Sequence, residues 1–173
     1  MRFLILIYVL FLSLPAFAQE EGAAPDQNPQ DVFRTTGLPI PRFVSLRSDR
    51  VFVRSGPALR YPIKWIFQKN ALPVEVVQEF DTWRKIRDMD GDEGWVHQSL
   101  LSGKRSAIVQ GKEQALLYRN ATGQERIVAR LEPGVVVEAL RCMSLRCEVN
   151  AGGYRGWVER KFLWGIYAEE KFD

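Results

Sequence analysis

The sequence predicts an all-β chain folded as two small closed sheets in tandem. Three observations carry that prediction. From Phe43 onward, short runs rich in β-branched and aromatic residues alternate with turn signals. No apolar stripe of helical period reaches ten residues. The second half of the chain also repeats the first at a nearly constant offset.

Residues 1–18 read as an export signal peptide. Arg2 supplies a positive start, Phe3 to Leu14 form an apolar run broken only by Ser13, and Pro15 ends it. Ala16-Phe17-Ala18 then offers a small-x-small cleavage site before Gln19. The run is shorter than the ~20 apolar residues that span a bilayer. An uncleaved anchor is the competing reading. No Cys follows the run to accept a lipid, and no later segment is apolar enough to cross a membrane. The expectation is an exported chain, periplasmic or secreted, with no stable membrane insertion after leader cleavage. Residues 19–42 read as a flexible linker. Gln19 to Gln30 is polar and holds two prolines, and Pro39-Ile40-Pro41 favours an extended lead-in to the first strand.

The first barrel is expected over residues 43–104. Its runs are Phe43–Leu46, Val51–Val53, Ile63–Phe67, Leu72–Val77, Trp83–Ile86 and Gly94–His97. Ser48-Asp49, Ser55-Gly56-Pro57, Lys69-Asn70 and Asp90-Gly91 punctuate them. The second barrel, 105–173, repeats the pattern. Gly94-Trp95-Val96 recurs as Gly156-Trp157-Val158 at an offset of 62, Val74-Glu75 as Val137-Glu138 at 63, and Val53 falls on Leu117 at 64. Such drift means single-residue deletions in turns between retained strands. Two units suit self-contained barrels better than a solenoid or propeller, which want three or more.

Units of this size sit near the lower limit for an independent core. Cys142 and Cys147 enclose four residues between strand-like runs, so they should face each other across a hairpin at a separation a disulfide accepts. An oxidising compartment favours the bond. The short ring limits its loop-closure contribution to about 2 kcal/mol. Metal binding is the rival reading, but two thiols and one distant His97 cannot close a tetrahedral site.

Hydrophobic residues make up 46% and charged residues 26%, which is too apolar for a disordered chain. The net charge of +3 is too small to argue for nucleic acid. Catalysis lacks an inventory. His97 is the single histidine, both cysteines are expected to be oxidised, and no nucleophile elbow, phosphate loop or dinucleotide fingerprint occurs. A carboxylate-only glycosidase would need a deep cleft on a larger scaffold. The chain therefore reads as a non-enzyme that needs no cofactor and no metal.

At Val51-Phe52-Val53-Arg54-Ser55-Gly56-Pro57 and Gly94-Trp95-Val96 the chain resembles the bacterial SH3-like family. Leu72–Val76 and Trp83–Ile86 are similar to its middle strands. Phe52 stands where the family often has Asn. The second unit keeps Gly156-Trp157-Val158 but reads Tyr118-Arg119-Asn120 in place of Arg-Ser-Gly-Pro. The resemblance covers residues 43–165 and implies two tandem SH3-like barrels of five or six strands on an exported or envelope protein. It also implies a non-catalytic binding module that recognises peptidoglycan peptide or an extended segment of an envelope partner. The alternative is a structural or assembly protein of the envelope with no small ligand.

Several residues invite roles. Arg54 could clamp an anion or bind carbonyls of the loop opened by Gly56-Pro57; its donor fork suits both, and the structural use is favoured. Trp95 and Trp157, after Gly94 and Gly156, suggest a shared packing role. In a regular strand Trp83, Lys85 and Arg87 share one face, an aromatic beside two cations that could receive a carboxylate; packing on the neighbouring hairpin is the commoner use. Tyr61, Pro62 and Trp65 could line a peptide groove, or Trp65 could be core and Tyr61 a loop plug. Asp88, Asp90 and Asp92 alternate as in a calcium loop. Glycine and glutamate miss their places there, and a solvated turn on Asp90-Gly91 is favoured.

Overall fold

Alternating burial along each short run is the mark of a sheet with one face packed. Val51 and Val53 are fully buried, whereas Phe52 and Arg54, which alternate with them, are partly exposed. The structure, a computed structural model, describes residues 36–122 and 126–172. The expected signal peptide and the first part of the linker lie outside the described residues.

The first barrel contains β1 (Arg42–Leu46), β2 (Val51–Arg54), β3 (Ile63–Phe67), β4 (Pro73–Phe80), β5 (Trp83–Arg87), β6 (Glu93–His97) and β7 (Leu101–Ser102). The second contains β8 (Ser106–Val109), β9 (Ala115–Tyr118), β10 (Ile127–Leu131), β11 (Val136–Cys142), β12 (Arg146–Ala151), β13 (Tyr154–Glu159) and β14 (Leu163–Trp164). The orders are β3-β2-β6-β5-β4-β1-β7 and β10-β9-β13-β12-β11-β8-β14, which is one topology built twice. A single 3-10 turn precedes the last strand of each barrel, at Gln98–Leu100 and Arg160–Phe162. The end of the expected linker is docked rather than flexible. Thr36 donates through its backbone N–H and hydroxyl to Glu79, and Ile40 packs on the first core.

Leu46, Val51, Val53, Val74, Val76, Ile86, Val96 and Leu101 fill the first core. Val109, Leu117, Leu131, Val137, Val149, Val158 and Leu163 help fill the second. The Gly-Trp-Val repeat is explained by its inward residues. A Cβ on Gly94 would lie 2.4 Å from Val53 Cγ1, and one on Gly156 would lie 2.5 Å from the Tyr118 carbonyl oxygen. Val96 and Val158 enter the cores, so Trp95 and Trp157 point to the outer faces. Their packing is external. Trp157 lies under the Arg141 guanidinium, 5.2 Å from the ring centre, and Trp95 pairs across the ladder with Lys85.

Bulges in β4 and β11 shift the inward phase by one residue, between Val76 and Gln78 and between Ala139 and Arg141. They turn Glu79 and Cys142 inward. Glu79 faces Arg84 across the first hairpin, and Cys142 faces Cys147 at the corresponding place in the second. The disulfide is formed, with a Cα separation of 4.1 Å. One repeat therefore closes this hairpin with a buried ion pair and the other with a covalent bond.

The barrels are joined by only Gly103–Arg105 and pack on each other. The Phe43 ring meets Trp164 edge-on at 5.1 Å and Tyr167 at 4.6 Å. The Tyr167 hydroxyl donates to Glu75 at 2.8 Å, and the buried Ser45 and Ser106 hydroxyls are 2.5 Å apart. Burial, with the Glu75 carboxylate beside it, pushes the Tyr167 phenol well up and keeps it neutral. Gly165, at φ 112°, makes the close approach possible: a Cβ there would lie 2.8 Å from Pro73 Cβ.

Candidate functional site: a groove repeated in both barrels

At one end of the first barrel three segments converge: the loop after β2, the tip of the β4–β5 hairpin, and the end of β6 with its 3-10 turn. Leu59, Arg60, Trp83, His97 and Ser99 are among the residues lining a groove of about 710 Å³ between them. The second barrel has a groove of about 950 Å³ lined in part by the same three segments, through Ala121, Leu145, Arg146, Glu159 and Lys161. It is also lined by Gln110 and the C-terminal residues Leu163, Ile166, Ala168 and Glu169, which have no counterpart in the first groove.

The loop is shaped by Arg54. Its guanidinium donates to the carbonyls of Leu59 at 3.0 Å and Tyr61 at 2.8 Å. Gly56 is required because the Tyr61 ring lies over it, 2.6 Å from where a Cβ would stand. The Arg60 guanidinium lies over that ring at 5.1 Å from its centre, and Leu59 is left 75% exposed on the groove. Arg54 thus anchors the loop through Nη1, the structural use favoured from the sequence. Tyr61 plugs the loop and Trp65 packs against the core beside Phe67, so the expected Tyr61–Pro62–Trp65 wall lies outside this groove.

The hairpin tip is braced by a network that sequence reasoning missed. Arg84, 3% exposed, donates to the carbonyls of Asp81 and Trp83 and to Gln98 Oε1 on the 3-10 turn. Its Nε lies 3.2 Å from Glu79, which is fully buried and also takes Arg42 and Thr36. Burial alone would raise the Glu79 carboxyl, but hydrogen bonds from Arg42 and Thr36 outweigh it and hold the pKa at about 2. The readable signal was the offset of 63, which carries Glu79 and Arg84 onto the two cysteines. In the second barrel Arg160 occupies the place of Gln98 and donates to the carbonyls of Met143, Tyr167 and Glu170.

Trp83, Lys85 and Arg87 do share a face, but it is not an open carboxylate platform. Trp83 is 8% exposed and stands edge-on to the His97 ring at 5.5 Å. Lys85 and Arg87 both clasp Glu93, at 2.6 and 2.9 Å, and Arg87 also holds Glu75. Intramolecular carboxylates already occupy the cations. Of the three, Trp83 alone lines the groove.

His97 Nδ1 lies 2.8 Å from Ser99 Oγ and also accepts the Ser99 backbone N–H, so the ring caps the 3-10 turn. No carboxylate hydrogen-bonds this imidazole among the described residues. Asp88 Oδ1 accepts the backbone N–H groups of Asp90 and Asp92, making a hairpin turn with Gly91 at φ 90°. Among the described residues no group of three or more His, Cys, Asp or Glu side chains is placed to hold a metal ion.

The first groove offers apolar and aromatic surface with a cationic rim, which suits an extended peptide segment. The second is more amphipathic. Leu145 is 79% exposed there, while Lys161 holds Glu159 at 2.7 Å and Arg146 approaches it at 3.8 Å.

A family model described as Bacterial SH3 domain matches residues 47–103 and again 111–165. No curated protein matches the chain. Solved structures similar to it include NlpC2 and NlpC1 from Trichomonas vaginalis, each at 14% identity and TM-score 0.33. They cover 72% and 81% of this chain, and 48% and 51% of their own. An NlpC/P60 family protein from Bacillus cereus ATCC 10987 is similar at 11% identity and TM-score 0.32, covering 70% of this chain and 55% of its own. The chain spans about half the length of these proteins. Among the described residues no helix is long and apolar enough to cross a membrane.

Proposed function

The chain belongs to the bacterial SH3 domain family, whose model matches both of its halves, and from that premise we propose that it is an exported envelope binding module that works without turnover. Its ligand in this reading is an extended peptide, either cell-wall peptide or a segment of an envelope partner. The observation that carries the reading is the recurrence of the groove. A repeated fold must repeat its core and its turns, but nothing in stability requires it to keep an open groove at the same three segments twice. The leader-like start of the sequence and the disulfide support a destination outside the cytoplasm. Non-catalytic action is supported by His97, which serves as a turn cap.

The test is retention of the full-length mature chain on isolated sacculi. Leu59→Asp and Leu145→Asp change exposed groove side chains, so each variant should keep the wild-type circular dichroism. Retention should fall by roughly tenfold in the double variant, the scale of a lost apolar anchor. Retention equal to wild type would overturn the groove. Copurification of one envelope protein without sacculus binding would assign the grooves to a protein segment. Release of soluble fragments from sacculi, or cleavage of muropeptides, by the purified chain would overturn the non-catalytic reading.

A further inference from the structure

A third concavity lies where the two barrels meet, and neither groove includes it. One wall is the end of β1 with the turn at Asn70–Ala71, and the other is the start of β11. The linker between the barrels closes the base, leaving a cleft of about 570 Å³. That is within the range of small-ligand sites, about 300–1,000 Å³, and junctions between domains are a common place for them.

Its chemistry is asymmetric. Arg47 stands on the first wall, Lys104 on the linker and Glu138 on the second wall. Arg105, the third cation, is held by Glu170 at 2.6 Å. Arg47, Lys104 and Glu138 are exposed and form no ion pair among the described residues. Between the charges, the half-buried Ala71 and Val136 contribute apolar surface, and Asn70 adds a side-chain amide. Ser45 and Ser106, both in the lining of the cleft, hydrogen-bond each other across the junction, and the Tyr167–Glu75 hydrogen bond ties the barrels outside it.

We propose that this junction cleft binds a short peptide carrying both a free amino group and a free carboxylate. Arg47 and Lys104 receive the carboxylate, Glu138 receives the ammonium group, and the apolar surface between them accepts small side chains. The site needs both barrels, since Arg47 comes from the first and Glu138 from the second, with Lys104 on the linker between them. It does not rest on the groove reading, because no proposed groove residue belongs to it.

The experiment uses the full-length mature chain, isotopically labelled, titrated with trialanine, N-acetyl-trialanine and trialanine amide. Trialanine should shift the amide resonances of Arg47, Ala71, Lys104 and Glu138, and either blocked peptide should bind roughly tenfold more weakly, the scale of one lost charged contact. Arg47→Glu combined with Lys104→Glu should abolish the shifts. Glu138→Gln should erase the preference for trialanine over its N-acetyl form. These three side chains are exposed, so the variants should keep the wild-type spectrum elsewhere. No shifts at millimolar trialanine, shifts confined to the grooves, or equal affinity for blocked and free peptides would each overturn the proposal.

Discussion

A carboxylate with no exposed surface must be matched by donors, and Glu79 has Arg42, Arg84 and Thr36 around it. Because its pKa is held at about 2 against an ordinary value of 4.5, folding favours the ionised form. That contribution is complete above pH 4.5, is lost as the pH falls through 2, and is worth roughly 3 kcal/mol. Denaturant midpoints measured from pH 6 to pH 2 should fall with acid in the wild type, and part of that fall should be absent in Glu79→Gln. The variant should also be less stable at pH 7 by about 3–5 kcal/mol, because Arg84 is left buried without its counter-charge. At Gly94 the constraint is steric. Gly94→Ala puts a methyl 2.4 Å from Val53 Cγ1 and 3.1 Å from the Arg54 carbonyl, and should cost about 1–3 kcal/mol in the same denaturation assay. The glycine was legible from its repetition before Trp. At Glu79 two signals conflicted: strict two-residue alternation from Val74 and Val76 places it outward, whereas the offset of 63 sets it on Cys142, and the bulge is what turns it in.

At the scale of the element, the β4–β5 and β11–β12 hairpins are one design closed in two ways. Their strands, turns and spacing were readable because hairpin register and the offset between repeats are both local properties. The groove residues were less readable, since Leu59, Trp83 and His97 come from three separate segments and meet only after the sheet curls. The equivalence of Glu79–Arg84 with Cys142–Cys147 gives a direct test. Glu79→Cys with Arg84→Cys should oxidise spontaneously, seen as the loss of two hydrogen masses in the intact, unreduced chain. Persistent free thiols would show that the two hairpin bases differ in geometry. In the second barrel, Cys142→Ala with Cys147→Ala should lower stability by about 2 kcal/mol, read as a fall in the denaturant midpoint of the whole chain.

At the scale of the molecule the two barrels are coupled, and this was illegible in the sequence. Phe43 lies far along the chain from Trp164 and Tyr167, and no repeat, spacing or charge pattern links them. Phe43 belongs to β1, where alternation marks it only as outward-facing, and outward-facing aromatic residues read equally well as solvent-exposed. The junction combines a three-ring contact, worth about 0.5–1.5 kcal/mol per pair beyond area burial, with a hydrogen bond to a carboxylate worth about 1.5–3 kcal/mol. Together these are a substantial fraction of what a barrel of this size holds alone, so the pair should unfold as one cooperative unit. Phe43→Ala with Tyr167→Phe removes the ring and the hydroxyl while leaving both cores untouched. Calorimetry should then resolve two transitions where the wild type gives one, and the calorimetric enthalpy should exceed the van't Hoff value. A single unbroken transition in the double variant would mean that the barrels are joined by something other than these contacts.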